Sequence, residues 1–465
     1  VKITFLGGVG TVTGSMYLIQ TNRQTIMMEC GLYQGRRAES YSRNKNIPVD
    51  IRRLDAVVLS HAHIDHSGNL PNLVKQGYVG PIYTTHATRD LCGAMLPDSG
   101  RIHEYDVQYV NKKRKRKGES MMEPLYTEED AYRSLSYFVG VAYNRPREIG
   151  RGIQVTFLDA GHILGSSLVL LEVDEDGTTK RLLFTGDLGQ PNLPIVRDPT
   201  PLPEVDYLMI ESTYGDRLHP AVEDIQNQLE VIVKRVVERG GRIIIPAFAV
   251  GRTQEIVCDF HQLCYTDRIP EIAIYVDSPL ALNVTEVFRL HADCYDAETR
   301  SFILDSGEHD PFGFYRLKYV RSVQESKQLN TTPNPIIIIS ASGMAEAGRV
   351  QHHLKQAIVD PNNAVLITGW QAPYTLGRRI AEKEPVVSIY GESYPLRAEV
   401  HTLYGYSAHA DRNDLLNWSL PQANRVKKAF VVHGDPEQSQ ALASGMEENG
   451  YQNVYVPDRG FSIEM

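Results

Sequence analysis

No segment constrains this chain more than Ser60-His61-Ala62-His63-Ile64-Asp65-His66-Ser67-Gly68. It follows an apolar run, DAVVLS (55–60), that reads as a strand, and it places three imidazoles and a carboxylate within a few residues. A strand end projects His61 and His63 to the same side, because alternate residues share a face. The turn that follows can carry Asp65 and His66 to a second point close by. One short loop can therefore serve two metal ions, a density of ligands that packing or a single structural site does not call for.

Two ions need more ligands than this loop holds, and three other positions repeat its grammar. His162 follows QVTFLDAG, Asp187 follows RLLFTG and His433 follows AFVV, so each polar residue terminates an apolar strand. Singly, each reads as a turn residue or a satisfied loop histidine. Together they form what a dinuclear site at one sheet edge requires.

The rest of the chain is organised around such edges. Residues 1 to about 80 read as short strands joined by glycine-rich turns (KITFLGG, GSMYLIQT, QTIMMECG, DAVVLS). From about 86 to 150 the pattern is helical and polar, with Thr127 as an N-cap before an acidic first turn. Strands resume with IQVTFLDAGH, SSLVLLEVD and KRLLFTGD, the EDG turn at 175–177 suiting a hairpin, and YLMIEST closes the first half. Between about 214 and 396 a helix (about 222–239), RIIIPAFA, a further helix, IAIYV, PIIIISAS and AVLITG alternate. Unbroken β-branched runs between helices mean a parallel sheet covered on both faces. EVHTLYGYSAHAD and KKAFVVHGD return to the strand-then-loop pattern, followed by a helix (about 436–449) and NVYVP. A length of 465 residues suits two domains, or three small ones.

Composition excludes several classes. With 42% hydrophobic and 23% charged residues, and no apolar run near the ~20 residues of a membrane span, the chain is expected to be soluble, with no membrane partner. The opening VKITF lacks the regions of a signal peptide, so cytoplasmic residence is expected. The five scattered cysteines support neither a disulfide framework nor a CxxC metal clip, and read as free thiols. A net charge of −9 argues against coating nucleic acid by bulk electrostatics, so phosphate contacts must be local. One local candidate is the run of six cations Lys112 to Lys117, which reads equally as a solvated helix face, a loop tip or an RNA contact.

At this point the chain resembles the metallo-β-lactamase superfamily, whose acidic residue after an early strand, His-x-His-x-Asp-His, later His and later Asp match Glu29, His61 to His66, His162 and Asp187 in order. Glu211 in ESTYG, His409 in SAHAD and His433 in VHGD are similar to the three extra motifs of its β-CASP branch, nucleases acting on RNA or DNA. The match runs from LGGVGTVTGS to the closing strand. It suggests bacterial and archaeal ribonucleases akin to the nuclease subunit of the pre-mRNA 3′-end cleavage factor.

The resemblance implies an α/β fold, a metallo-β-lactamase αββα sandwich over 1–211 and 398–465 with a β-CASP cap inserted at 212–397. It implies one metal on His61, His63, His162 and Asp187, and a second on Asp65, His66, Asp187 and His433, with Asp187 bridging. Two Zn²⁺ suit this imidazole-rich set, and Mn²⁺ would tolerate it. Glu29 stands where the family usually has Asp, supporting a metal-bound histidine by hydrogen bond. The candidate catalytic residues are Asp65, also a ligand, with His409 as general acid and Glu211 orienting it. Otherwise His409 is a turn cap, and Glu211 satisfies a backbone amide. The loops PAFAVGR (246–252), SASGMAEAGR (340–349) and TLGR (375–378) offer backbone amides and arginines to phosphates, naming Arg252, Ser342, Gly343, Arg349, Arg378 and also Ser407. His352 and His353 read as core or interface residues.

The expected activity is water attack on an RNA phosphodiester, leaving a 5′-phosphate and a 3′-hydroxyl, by endonuclease or also 5′ exonuclease action. Single-stranded RNA is the expected partner, with a homodimer and RNA-processing proteins as further candidates. RNA is favoured over DNA because His433 stands where the family's RNA enzymes carry His. The alternatives are a thioesterase or lactonase of the same superfamily, a DNA nuclease, or a non-catalytic RNA-binding scaffold.

Overall fold

In the computed structural model, which describes residues 1–175, 177–219, 225–307, 309–372 and 374–465, the chain forms two compact units. One comprises Val1–Leu218 with His409–Met465, the other His219–Ala408.

The first unit is built on two seven-stranded sheets. In Lys2–Gly7 and Met16–Gln20, Ile3, Phe5, Tyr17 and Ile19 share a face by strand alternation and are fully buried. They meet Phe157, Val169, Leu171, Phe184 and Met209 of the second sheet in one apolar cluster, which is the interior of the sandwich. The second sheet's other face is covered by helices, with Leu415, Leu442 and Met446 packed on Leu183, Leu208 and Val431. The first sheet's flank is taken by Leu70–Lys75 and the long helix His86–Lys117, whose Leu91, Cys92 and Met95 are buried. This is the αββα arrangement expected.

Strand direction assembles the site. In the first sheet Thr25–Met28 and Ala56–Val58 run parallel, so the residues after them, Glu29 and the loop from Ser60, leave at the same edge. In the second sheet Thr178–Phe184, Tyr207–Glu211 and Lys428–Val432 are mutually parallel neighbours. Ile153–Asp159 points the same way, being separated from Thr178–Phe184 by one antiparallel strand, Ser167–Glu175. His162, Asp187, Glu211 and His433 therefore emerge at a single edge.

The second unit is a six-stranded parallel sheet, in the order Leu317–Tyr319, Ala273–Val276, Ile336–Ser340, Arg242–Pro246, Ala364–Thr368, Glu399–Leu403. Ile243, Ile244 and Ile245 and the run Ile337 to Ile339 are all fully buried, the pattern of strands covered on both faces. The insert expected over 212–397 spans 219–408, because Glu399–Leu403 bonds along its length to Ala364–Thr368 and stays with this sheet.

Other expectations meet the structure in detail. The polar stretch from 86 to 150 holds the helices His86–Lys117 and Glu128–Ser134, but ends in two four-residue strands, Phe138–Val141 and Arg147–Gly150, too short for their periodicity to register. Thr127 caps its helix in a capping box with Asp130. The helices expected near 222–239 and 436–449 are Ile225–Glu238 and Pro436–Glu448, the start of the first lying outside the described residues. Thr178 pairs with Glu175 across the expected hairpin, whose Asp176 also lies outside them. All five cysteines are free thiols. Among the described residues, no helix is long and apolar enough to cross a membrane.

The metal loop is seated by a close approach at Gly31, where a Cβ would lie 1.6 Å from the Asp65 carbonyl oxygen. Gly31→Ala should push that loop off its seat, costing about 1–3 kcal/mol or more and lowering the thermal midpoint by roughly 4 °C or more. A calorimetric scan beside wild type checks this, and a metal assay should show reduced occupancy.

Candidate metal centre

Asp187 lies at the centre of the cluster. Its strand ends at Phe184, and Gly186 turns the chain at φ +55°, where a Cβ would sit 2.7 Å from Ser60 Oγ. Asp187 is buried, with its two oxygens facing different histidine groups. Oδ2 lies 3.4 Å from His61 Nε2 and 3.5 Å from His162 Nε2, and His63 Nδ1 is 3.2 Å from both of those nitrogens. Oδ1 lies 3.1 Å from His66 Nε2 and 3.5 Å from His433 Nε2, with Asp65 Oδ2 3.9 and 3.8 Å from the same two nitrogens. The expected ligand atoms are thus brought together as two clusters, His61, His63, His162 and Asp187 in one and Asp65, His66 and His433 in the other, with the second oxygen of Asp187 facing the latter.

The sides of the His66, His61 and His433 rings turned away from the clusters are held by hydrogen bonds. Glu29, fully buried and at φ +62°, accepts from Ser60 N at 2.7 Å and Ser60 Oγ at 3.0 Å, and its Oε2 meets His66 Nδ1 at 2.6 Å. A proton on that Nδ1 leaves the Nε2 lone pair for the pocket. Ser60 Oγ lies 3.0 Å from His61 Nδ1, and Ser15 Oγ lies 2.9 Å from His433 Nδ1. Ser166 Oγ accepts the backbone amides of His162 and Ile163 at 3.0 and 3.2 Å, shaping that turn. Sequence reasoning missed the three serines. The available signals were the hydroxyl immediately before His61 and the small residue closing the LGGVGTVTGS turn.

These donors fit divalent cations. His66 Nε2 and Asp187 Oδ1 are buried and form no hydrogen bond with any described residue, despite facing each other at 3.1 Å. An arrangement this rich in lone pairs is costly in a dry pocket unless a proton or a metal cation brings positive charge into it. Burial holds His61 and His162 well below the imidazole range, His63 down to about 4 and His433 down to about 3, so these four rings present neutral ligand nitrogens at pH 7. Burial lifts Asp65 to about 6. His66 goes the other way: burial opposes its charge, but Asp187, Asp65 and the hydrogen bond to Glu29 raise it well above its ordinary value. In the metal-free protein it carries a proton that a cation must displace.

Beside the clusters, Glu211 is the last residue of its strand and is fully buried. Its Oε1 accepts from Leu188 N at 2.7 Å and lies 3.2 Å from His409 Nδ1, and its Oε2 accepts from Thr213 N at 3.2 Å. The His409 ring centroid stands 4.5 Å from that of His162. Burial disfavours its charge, but Glu211, followed by Asp187 and Asp65, lifts His409 up to about 9.

The six expected phosphate-binding residues lie in the second unit and do not share one environment. Arg252 is buried, donating to Glu255 at 3.2 Å and to the Thr368 carbonyl. Arg349 is bound to Asp277 at 2.6 Å, and Arg378 to Glu382 at 2.7 Å. Ser342 Oγ donates to Ala347 O at 3.3 Å, Gly343 lies against the Phe248 ring, and Ser407 is buried. His353 is a core residue on Asp277 at 2.7 Å, while His352 is exposed beside Tyr390. The basic run forms the C-terminal turns of the long helix.

Three family models match: the metallo-beta-lactamase superfamily over 9–247, the Beta-Casp domain over 253–380, and the Zn-dependent metallo-hydrolase RNA specificity domain over 393–457. Ribonuclease TTHA0252 of Thermus thermophilus is 34% identical over 97% of this chain and 97% of its own length. An RNase J-like protein of Methanocaldococcus jannaschii is 30% identical over 99% of each chain. The transcription termination factor FttA of Methanosarcina mazei is 31% identical over 99% of this chain and 70% of its own. A solved protein of unknown function from Enterococcus faecalis V583 shares the fold, with a TM-score of 0.53 at 15% identity and 99% of each chain covered.

Two outcomes follow from this geometry. Glu29→Gln keeps the size but replaces the carboxylate against His66 by a neutral amide, and should weaken metal binding about 10- to 100-fold at the His66 cluster and less at the His61 cluster, which Glu29 reaches through Ser60. Elemental analysis after dialysis checks it. Metal uptake at pH 7 should release protons, and affinity should fall as pH drops because the raised His66 competes for H⁺. Titration calorimetry in buffers of different ionisation enthalpy measures both.

Proposed function

We propose that this chain, which belongs to the β-CASP ribonuclease branch of the metallo-β-lactamase superfamily and is a metal-dependent hydrolase, cleaves single-stranded RNA at a two-zinc centre with His409 as general acid. The observation that carries this reading is the carboxylate of Asp187, with one oxygen turned to each histidine cluster. Donors of imidazole and carboxylate without thiolate favour Zn²⁺, with Mn²⁺ tolerated. When bound, two divalent cations supply activated water and neutralise charge on a scissile phosphate.

The chain's own residues supply the rest. Glu29, Ser60 and Ser15 keep the rings of His66, His61 and His433 turned so that their Nε2 atoms meet in the pocket. Asp187 and Asp65 give the pocket negative charge that attracts cations, and with the larger effect of Glu211 they raise the proton affinity of His409. Glu211, itself fastened by the Leu188 and Thr213 amides, engages Nδ1 of His409 and makes Nε2 the atom that delivers a proton. A phosphodiester's departing alkoxide is a poor leaving group and needs that proton. Because the ring's affinity is raised, it is charged at neutral pH, and the acid form is lost as pH climbs through its pKa. The metal-free value reaches up to about 9, and divalent cations nearby pull it lower.

His409→Ala should retain its metal while turnover on RNA falls roughly 10²-fold or more, with the alkaline fall of the wild-type pH profile removed. Loss of metal in that variant would make His409 a ligand instead. Products should carry 5′-phosphate and 3′-hydroxyl ends, and 2′,3′-cyclic phosphate would refute water as the nucleophile. Hydrolysis of a model thioester in preference to labelled RNA would reassign the substrate. Internally and end-labelled RNA in one assay separates endonuclease from 5′ exonuclease action.

A further inference from the structure

The long helix His86–Lys117 has a second half that the core does not use. Its buried residues end at Gly100, so the stretch 101–117 runs about 25 Å, at ~1.5 Å per residue, beyond its last buried residue. That stretch is held along one side. His103 packs edge-on against Tyr126, with ring centroids 4.9 Å apart. Asn111 exchanges hydrogen bonds of 2.9 and 2.8 Å with the main chain of Met122, and Arg114 donates to Ser120 O at 2.6 Å.

At about 100° per residue these three anchors fall on one side of the helix, and Ile102, Tyr105, Tyr109, Lys112, Lys113 and Arg116 fall within a stripe opposite. Ile102, Tyr105 and Tyr109 are 53, 64 and 56% exposed, and Lys113 Nζ stands 4.5 Å over the Tyr109 ring. Lys115 and Lys117 flank the stripe and are exposed. Arg114, on the anchored side, pairs with Glu119 at 3.4 Å, whereas no ion pair joins Lys112, Lys113, Lys115, Arg116 or Lys117 to any described residue.

Favourable interaction with the helix dipole accounts for cations in the last turn only. It explains neither Lys112 and Lys113 nor two exposed tyrosines one turn apart in register with them. In a chain of net charge −9, five cations with no ion pair to any described residue, one of them over a tyrosine ring, stand beside exposed aromatic rings and complement a polyanion that also carries flat bases. An anionic lipid surface would ask for apolar depth, and this face has one aliphatic side chain, Ile102.

We propose that this helix face is a docking surface for single-stranded RNA, gripping the strand outside the metal centre by phosphate contacts and base stacking. The inference rests on the ribonuclease reading and deepens it, because it gives an acidic enzyme a local hold on its substrate.

The test compares two sets of five neutralising changes in metal-loaded protein with the slow His409→Ala background. One set converts Lys112, Lys113, Lys115, Arg116 and Lys117 to Gln. The control converts the exposed Lys2, Arg23, Arg52, Arg53 and Arg145 to Gln and gives the same net charge. Fluorescence anisotropy with labelled poly(A) should show the helix set binding a long strand about ten-fold or more weaker. Its log–log salt slope should be about 2 to 3 smaller, at roughly 0.7 per phosphate contact, and the control should nearly match the parent. A strand of a few nucleotides should bind all three alike. Tyr105→Ala with Tyr109→Ala should weaken the long strand by about ten-fold and leave the salt slope unchanged.

Equal losses in the two sets would overturn the proposal in favour of bulk charge. So would a helix set that retains RNA affinity but loses binding to phosphatidylserine vesicles. If the otherwise unchanged protein fails to cleave RNA yet binds it through this face, the ribonuclease reading falls and the surface stands.

Discussion

Asp187 is the constraint on which the centre depends. A single buried carboxylate faces His61 and His162 with one oxygen and His66 and His433 with the other. Neutral rings alone would leave its charge poorly compensated in a dry site, and two separate carboxylates would repel at this range. Divalent cations would resolve the conflict. The surrounding hydrogen bonds serve that end: Glu29 fastens His66, Ser60 fastens His61, and Ser15 fastens His433, so each ring presents Nε2 inward. Glu29 reaches both the Ser60 amide and His66. Its backbone is left-handed, at φ +62°.

The scaffold follows from strand direction. Ligands separated by hundreds of residues meet because the strands carrying them run the same way in two facing sheets, and carbonyl-end loops then share one edge. Tight approaches at Gly31 and Gly186 keep that edge compact, since any side chain at either position would collide with the loop opposite. The sandwich interior, from Phe5 and Tyr17 to Phe157 and Phe184, packs the two sheets that carry this edge.

Electrostatics divides labour across the molecule. An acidic chain gathers carboxylates around the metal pocket, which favours cations there and keeps His409 protonated, but the same charge repels RNA. Other cations are scattered over the surface, but the run Lys112 to Lys117 gathers five exposed ones on one helix. In the second unit the arginines of the expected phosphate loops are already engaged by Glu255, Asp277 and Glu382. An incoming phosphate there would have to compete with those carboxylates.

Residue type and spacing were enough to single out the His61 to His66 loop and the strand-end residues His162, Asp187 and His433, which the fold brings to one edge, and the parallel sheet with its β-branched runs, because each is a local pattern with period two or an unbroken apolar run. Resemblance supplied the expected grouping of those residues and the roles proposed for Glu211 and His409. Local pattern could not reveal Ser15 and Ser60 as ring anchors, the strands Phe138–Val141 and Arg147–Gly150, or the membership of Glu399–Leu403 in the inserted sheet. Each of these is decided by a partner distant in sequence. The basic run shows the same limit: six cations in a row are legible to anyone, but which side of their helix is anchored and which stands open was settled only when Asn111 and Arg114 found the returning chain.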